Sequence, residues 1–162
     1  MKKLLLFVLS IILVSGMAKA SQVLIARVES AVSPASAKFI VQAVERAQKD
    51  QAECLIIEMD TPGGLDQSMR QVIKSIMASK VPVIVFVAPQ GSRAASAGAF
   101  ITLSSHLAAM APGTSIGAAH PVSIGQSGQM DSTMSGKVTN DAAADIRCVA
   151  EKRGRNIAWA ES

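Results

Sequence analysis

Tyrosine is absent from this 162-residue chain, tryptophan occurs once and phenylalanine four times, so aromatics make up only 3% of it. A core of ordinary size must then be built from Ile, Val, Leu, Met and Ala. The shortage also argues against a single-strand nucleic-acid surface, which stacks bases on aromatic rings set among Lys and Arg. Cysteine is nearly as rare. Cys54 and Cys148 cannot make a disulfide framework, and two buried free thiols are a simpler reading than one bridge. Charge is thin as well, at 17% of residues. The formal net charge of +4 includes Lys2, Lys3 and Lys19. Without these, 13 basic side chains face 12 acidic ones, and no basic face is left to attract nucleic acid. Against these shortages stands an apolar content of 49%, the balance of a globular domain rather than of a disordered chain.

The three lysines belong to an N-terminal segment with its own pattern. "MKK" is followed by the apolar run "LLLFVLSIILV" and by "AKA" before Ser21, the layout of an export signal with a small-x-small cleavage site. Residues 1–20 are therefore expected to be a signal peptide. The alternative is a retained N-terminal membrane anchor, because the apolar stretch 4–18 is only slightly short of a span. Either reading places residues 21–162 outside the cytoplasm, in a periplasmic or extracytoplasmic, membrane-associated setting.

The rest of the chain alternates between two periods. "VLIARV" (residues 23–28), "CLIIEMDT" (54–61) and "VPVIVFVA" (81–88) read as strands, the last apolar throughout, as when both faces of a sheet are covered. Between them "PASAKFIVQAVERAQKD" places Ala37, Ile40, Val41, Val44 and Ala47 at helical spacing, with Ser33 as cap and Pro34 at the first helical position. "LDQSMRQVIKSIMASK" does the same with Met69, Val72, Ile73, Ile76 and Met77. "SAGAFITLSSHL" reads as a helix and "AAMA" as a short strand. Strands separated by helices predict parallel crossovers and an α/β domain. Residues 113–137 then show no period, and a loop of that length is commonly functional. A helix resumes at "NDAAADIRCVAEKRG", capped by Asn140 or Asp141, and another at "RNIAWAES", capped by Asn156. The chain stops inside that last pattern, and the domain over residues 21–162 is expected to be incomplete at its C-terminus.

"GSRAASAGAF" (residues 91–100) joins the third strand to a helix with hardly any side chain. Ser96 falls at the helix start, where free N–H groups and the helix dipole favour developing negative charge. Ala94, Ala95, Ala97, Gly98 and Ala99 leave room for a peptide beside it. An ordinary N-cap serine in a tight turn explains the stretch equally well. A nucleophilic serine needs oxyanion donors and a base. "DTPGG" offers the donors: Pro62 has no N–H, so Gly63 and Gly64 are the candidates, although a plain strand-to-helix turn also favours Pro and Gly. For the base, His106 is about three turns along the predicted helix from Ser96, too far to touch it. His120 lies in the long loop and leaves a Ser-His-Asp triad with Asp60 or Asp131 open. Lys137 is the other choice. It would have to be neutral, against an ordinary lysine pKa of ~10.4, and burial among Gly and Ala would favour that.

Taken in order, "IIEMDTPGG", "VPVIVFVAPQGSRAASAGAFI", "SSHLAAMAPGTSIGAAHPV" and Lys137 before "VTNDAAADI" closely resemble the NfeD family of membrane-bound serine proteases. These are relatives of ClpP and of signal peptide peptidase A, and partners of stomatin-like proteins. The resemblance covers roughly residues 23–160. It implies an α/β, ClpP/crotonase-like fold with a mostly parallel sheet, and an ATP-independent Ser-Lys dyad needing no cofactor and no metal. On that pattern Ser96 is the nucleophile, Lys137 the general base, Gly63 and Gly64 the oxyanion-hole glycines, and Ala95 and His120 substrate-pocket residues. The implied substrate is an apolar protein segment, such as the C-terminal part of a stomatin-like membrane protein, and the implied assembly is a homodimer or higher homo-oligomer, with no nucleic acid. Family members usually continue beyond the point where this chain stops. Two other classes remain: a non-catalytic scaffold of the same fold, and an α/β-hydrolase-type esterase. For the esterase the elbow G-x-S-x-G is only partly matched, because Ala94 stands at its first position.

Overall fold

The structure, a computed structural model, describes residues 21–117 and 132–161. The expected signal or anchor at residues 1–20, and His120 and Asp131, lie outside the described residues. In chain order the elements are β1 (Val23–Val28), α1 (Pro34–Lys49), β2 (Cys54–Met59), α2 (Asp66–Ala78), β3 (Val83–Val87), β4 (Arg93–Ala95), α3 (Ala97–Ser104), β5 (Leu107–Met110), β6 (Ser115–Gly117), α4 (Ser132–Lys152) and α5 (Ile157–Glu161).

Four strands form one parallel sheet in the order β1-β2-β3-β5. The register sets Ala26–Ile57–Val85–Ala108 and Val28–Met59–Val87–Met110 in rows that are buried across β1, β2 and β3 and open toward solvent at the edge strand β5. Alternate residues share a face, and the face carrying Leu55, Ile57, Met59, Val83, Val85 and Val87 is sealed, each of these being at most 1% exposed. The other face is less covered than the apolar run of β3 predicts. Ile84 and Phe86 are half-buried, and in the row Ile25–Ile56–Ile84–Leu107 the end residues Ile25 and Leu107 are exposed.

The helices follow their apolar spacing. α1 buries Ala37, Ile40, Val44 and Ala47, and Ser33 caps it in a reciprocal pair with Ser36, with Pro34 at its first position. α2 buries Met69, Val72 and Ile76. All eight residues of α3 are buried, as suits a helix apolar on every side. Asn156 caps α5, its Oδ1 accepting from the Trp159 N–H at 3.0 Å.

Three boundaries differ from the expectation. β4 and β6 form a separate two-stranded parallel sheet inside stretches that show no strand period. α3 ends at Ser104, so His106 lies beyond it. α4 begins at Ser132 rather than near Asn140, because "STMSGK" has neither apolar spacing nor strong helix formers to announce it. Both cysteines are free, as expected, but neither is buried: Cys54 is half-exposed and Cys148 exposed.

Candidate active site

Ser96 links β4 to α3 with φ 50° and ψ −116°. A side chain at positive φ in this region costs on the order of 1–3 kcal/mol and persists only where its surroundings fix it. Here they do. The Ser96 N–H donates to Gly117 O at 3.0 Å, and its carbonyl accepts from the Ala99 N–H at 2.9 Å. One residue earlier, the Ala95 N–H donates to Thr61 O at 3.1 Å. The Ser96 hydroxyl makes no capping hydrogen bond to α3. The N-cap reading, which rests on such a bond, therefore does not explain this serine.

The "DTPGG" turn meets Ser96 directly. Gly63 has φ +111°, and a β-carbon there would fall 2.6 Å from Ser96 Cβ and 3.2 Å from its Oγ. Gly64 is constrained differently: a β-carbon would fall 2.1 Å from Val32 O. The Val32 N–H donates to Gly63 O at 2.7 Å and Val32 O accepts from the Leu65 N–H at 2.8 Å, pinning the turn from its far side. The Gly63 N–H donates to Thr61 Oγ1 at 3.2 Å. Among the described residues, no hydrogen bond engages the amide of Gly64 or that of Ala97, which opens α3.

The small residues of "GSRAASAGAF" serve packing more than access. Ala94, Ala97, Gly98 and Ala99 are buried. A β-carbon on Gly98 would lie 2.5 Å from Thr61 Cγ2 and 3.7 Å from Met59 Sδ. The body that approaches them is the chain's own end of β2, while Ala95 and Ser96 beside them are half-exposed. Thr61, fully buried, is the knot: its N–H donates to Arg93 O at 2.7 Å, and its hydroxyl spans the Gly63 backbone. Thr61 is not among the sequence candidates; the one signal for it in the sequence is its place two residues before Gly63 in a Pro-Gly turn.

The other candidates divide. Lys137 is the sixth residue of α4, not a loop residue before a helix, and it is exposed rather than buried. Asp60 Oδ1 accepts from the Arg93 N–H at 3.0 Å and so is committed to β4. His106 stands at the opposite end of the sheet from Ser96. Its Nδ1 accepts from the N–H of Val83, the first residue of β3, at 3.1 Å, whereas Thr61 and Gly63 follow the last residue of β2. Ser96 and the glycine turn thus lie at the carboxyl edge of the parallel strands, where open α/β sheets place their ligands. Among the described residues, no three His, Cys, Asp or Glu side chains gather as a metal site.

A parallel α/β sheet with a strained serine at its carboxyl edge, set against a two-glycine turn, defines a domain of the ClpP/crotonase-like class. Residues 22–162 match the family model of the NfeD1b N-terminal domain, and the chain belongs to that family. It is 48% identical over 116 residues to the membrane-bound protease PH1510 of Pyrococcus horikoshii, and 36% identical over 116 residues to the membrane protein NfeD1b of Bacillus subtilis. These matches cover 71% and 70% of this chain but only 26% of each relative, so the chain spans about a quarter of their length. Similar solved structures include two variants of one protease. One is a serine-to-alanine variant of the 1510-N membrane-bound stomatin-specific protease, with TM-score 0.80 and 40% identity over 87% of this chain and 68% of that one. The other is a lysine-to-alanine variant of that protease in complex with a substrate peptide, with TM-score 0.79 and 39% identity over 87% and 64%. Among the described residues of the present chain, no helix is long and apolar enough to cross a membrane.

Proposed function

We propose that this chain is the proteolytic domain of a membrane-associated, exported serine endopeptidase that uses a Ser96–Lys137 dyad without metal or nucleotide. The observation that carries the reading is the strained Ser96, its hydroxyl uncapped and packed against Gly63. In the proposed reaction, neutral Lys137 takes the Ser96 proton as Oγ bonds to the scissile carbonyl carbon. The oxyanion is held by backbone amides of the glycine turn, that of Gly64 being the open one, together with the Ala97 N–H at the helix start. Lys137 then gives its proton to the leaving amine as the C–N bond breaks, and water releases the acyl group from Ser96. Because Lys137 is exposed, the desolvation that a lysine base needs comes with the substrate. This favours apolar protein segments, such as the C-terminal part of a stomatin-like membrane protein; relatives described as stomatin-specific support that choice. Ala95 and His120 are proposed as pocket residues and a homodimer or higher homo-oligomer as the working form.

The test is labelling by a fluorophosphonate probe together with peptide turnover. Ser96→Ala is expected to abolish both, and Lys137→Ala to abolish turnover, with the circular dichroism of each unchanged. Wild-type turnover in either folded variant overturns the dyad. An unlabelled wild-type chain points to the scaffold reading, and sensitivity to His120→Ala in place of Lys137→Ala points to the esterase.

A further inference from the structure

Arg70, on α2, gathers three carboxylates from two helices. Its Nε donates to Asp66 Oδ2 at 2.8 Å and its Nη2 to Asp141 Oδ2 at 2.8 Å, while its Nη1 forms an ion pair with Asp145 Oδ2. Each nitrogen of the guanidinium has its own partner, a division that the rigid planar fork of arginine permits and a lysine ammonium does not reproduce. Asp145 Oδ2 is buried and has no hydrogen bond, so the Arg70 charge is what compensates it.

Asp141 and Asp145 lie one and two turns beyond Lys137 on α4. Spacings of four residues set the three along one stripe of the helix. We propose that Arg70 is a positioning residue for Lys137: by clamping Asp141 and Asp145 to α2, it fixes the N-terminal half of α4 and hence the reach of Lys137 toward Ser96. The inference rests on the reading of Lys137 as the base. Two physical reasons favour a positioning role over mere stability. The pairs with Asp66 and Asp141, whose side chains are 67% and 68% exposed, contribute little to folding on their own, which leaves the buried Asp145 Oδ2 as the one partner with a stability cost. Orientation is more demanding, because a displacement of about 1 Å at a reacting group can cost ~10²-fold in rate. Arg70 also occupies Asp141, the carboxylate at i+4 from Lys137, which would otherwise be free to pair with the lysine in its charged form.

The test is a double-mutant cycle on the full chain, reading the rate of acylation by a fluorophosphonate and the kcat and KM for a peptide substrate. Arg70→Met is expected to slow acylation and kcat by about 10–10²-fold with KM unchanged. Arg70→Lys should recover only part of the rate. Asp141→Asn with Asp145→Asn should reproduce the loss from the other side of the clamp and keeps the test open if Arg70→Met fails to fold. In a Lys137→Ala background, Arg70→Met should add no further loss, because its effect passes through the lysine. A further loss of equal size in that background assigns Arg70 a purely structural role and overturns the proposal. So does a wild-type acylation rate in folded Arg70→Met when Lys137→Ala is slow. If Lys137→Ala itself acylates at the wild-type rate, it is the base assignment that fails, and the clamp's catalytic role fails with it.

Discussion

Gly63 and Gly64 are neighbours in the chain and answer to different constraints. At Gly63 both the positive φ and the 2.6 Å approach to Ser96 Cβ exclude a side chain, so Gly63→Ala must push Ser96 from its place. Gly63→Ala is expected to slow fluorophosphonate labelling by roughly 10²-fold, with folding largely kept. At Gly64 the obstacle is the backbone of Val32. Gly64→Ala is expected to break the link between the turn and residue 32, and to show as a lower melting temperature before any loss at the site is read. Thermal melts and labelling rates on the two variants check this, and a reversed order of effects would reassign the two glycines. The turn and the serine were legible through the order of the motifs and the resemblance that order carries, since an ordinary turn and an ordinary cap explain each stretch alone equally well. The sequence could not show the φ of Ser96, nor that Ala94 and Gly98 are small to admit Thr61 rather than a substrate, since small residues look alike whichever body approaches.

α3 is fixed at both ends. At its start stand Ser96 and the free amides; at its finish two arginines cover the last carbonyls. Arg153 Nε donates to Ser104 O at 2.7 Å, Arg155 Nε to Leu103 O at 2.8 Å, and Arg155 Nη2 to Ser105 O at 3.0 Å. Cations at a helix C-terminus complement its dipole and its orphan carbonyls. Burial pushes both guanidinium pKa values down, and the charge of Arg153 pushes that of Arg155 further. The same groups lack an acidic partner in these bonds, so the carbonyls supply the compensation. Arg155→Ala is expected to destabilise the fold by about 1.5–3 kcal/mol, the range for hydrogen bonds to charged groups. Arg46→Ala, which removes a surface i,i+4 pair with Asp50, should cost far less, because solvent screens such a pair. Urea denaturation measures both, and equal losses would show that the carbonyl contacts contribute no more than a surface pair. At this scale the long periodic helices and the four sheet strands were readable. β4 and β6 were not, because three residues carry no period, and the early start of α4 was hidden by Gly136 and its hydroxyl neighbours.

Across the molecule the two ends of the parallel strands are occupied differently. The carboxyl ends of β2 and β4 meet the glycine turn and Ser96. At the other end His106 joins β5 to β3, its Nδ1 accepting from the Val83 N–H at 3.1 Å and its backbone N–H donating to Val83 O at 2.9 Å. The histidine pKa is lowered, first by burial and then by the positive charge of Arg153, and an Nδ1 that accepts a hydrogen bond must itself be unprotonated. A histidine whose folded pKa lies below its unfolded value of about 6.5 binds fewer protons folded than unfolded between the two values. The stability it contributes is therefore complete above the unfolded value and is lost as pH falls from there through the folded one. The melting temperature of the chain is expected to fall between neutral pH and mild acid. His106→Asn, whose side-chain oxygen accepts from Val83 without titrating, should flatten that fall. Because His106 and Ser96 lie at opposite ends of the strands, the same substitution should leave fluorophosphonate labelling at neutral pH unchanged. Melts at successive pH values separate the two effects. An unaltered acid limb in His106→Asn would assign the loss to carboxylates elsewhere, and a loss of labelling would mean that the two edges of the sheet are coupled.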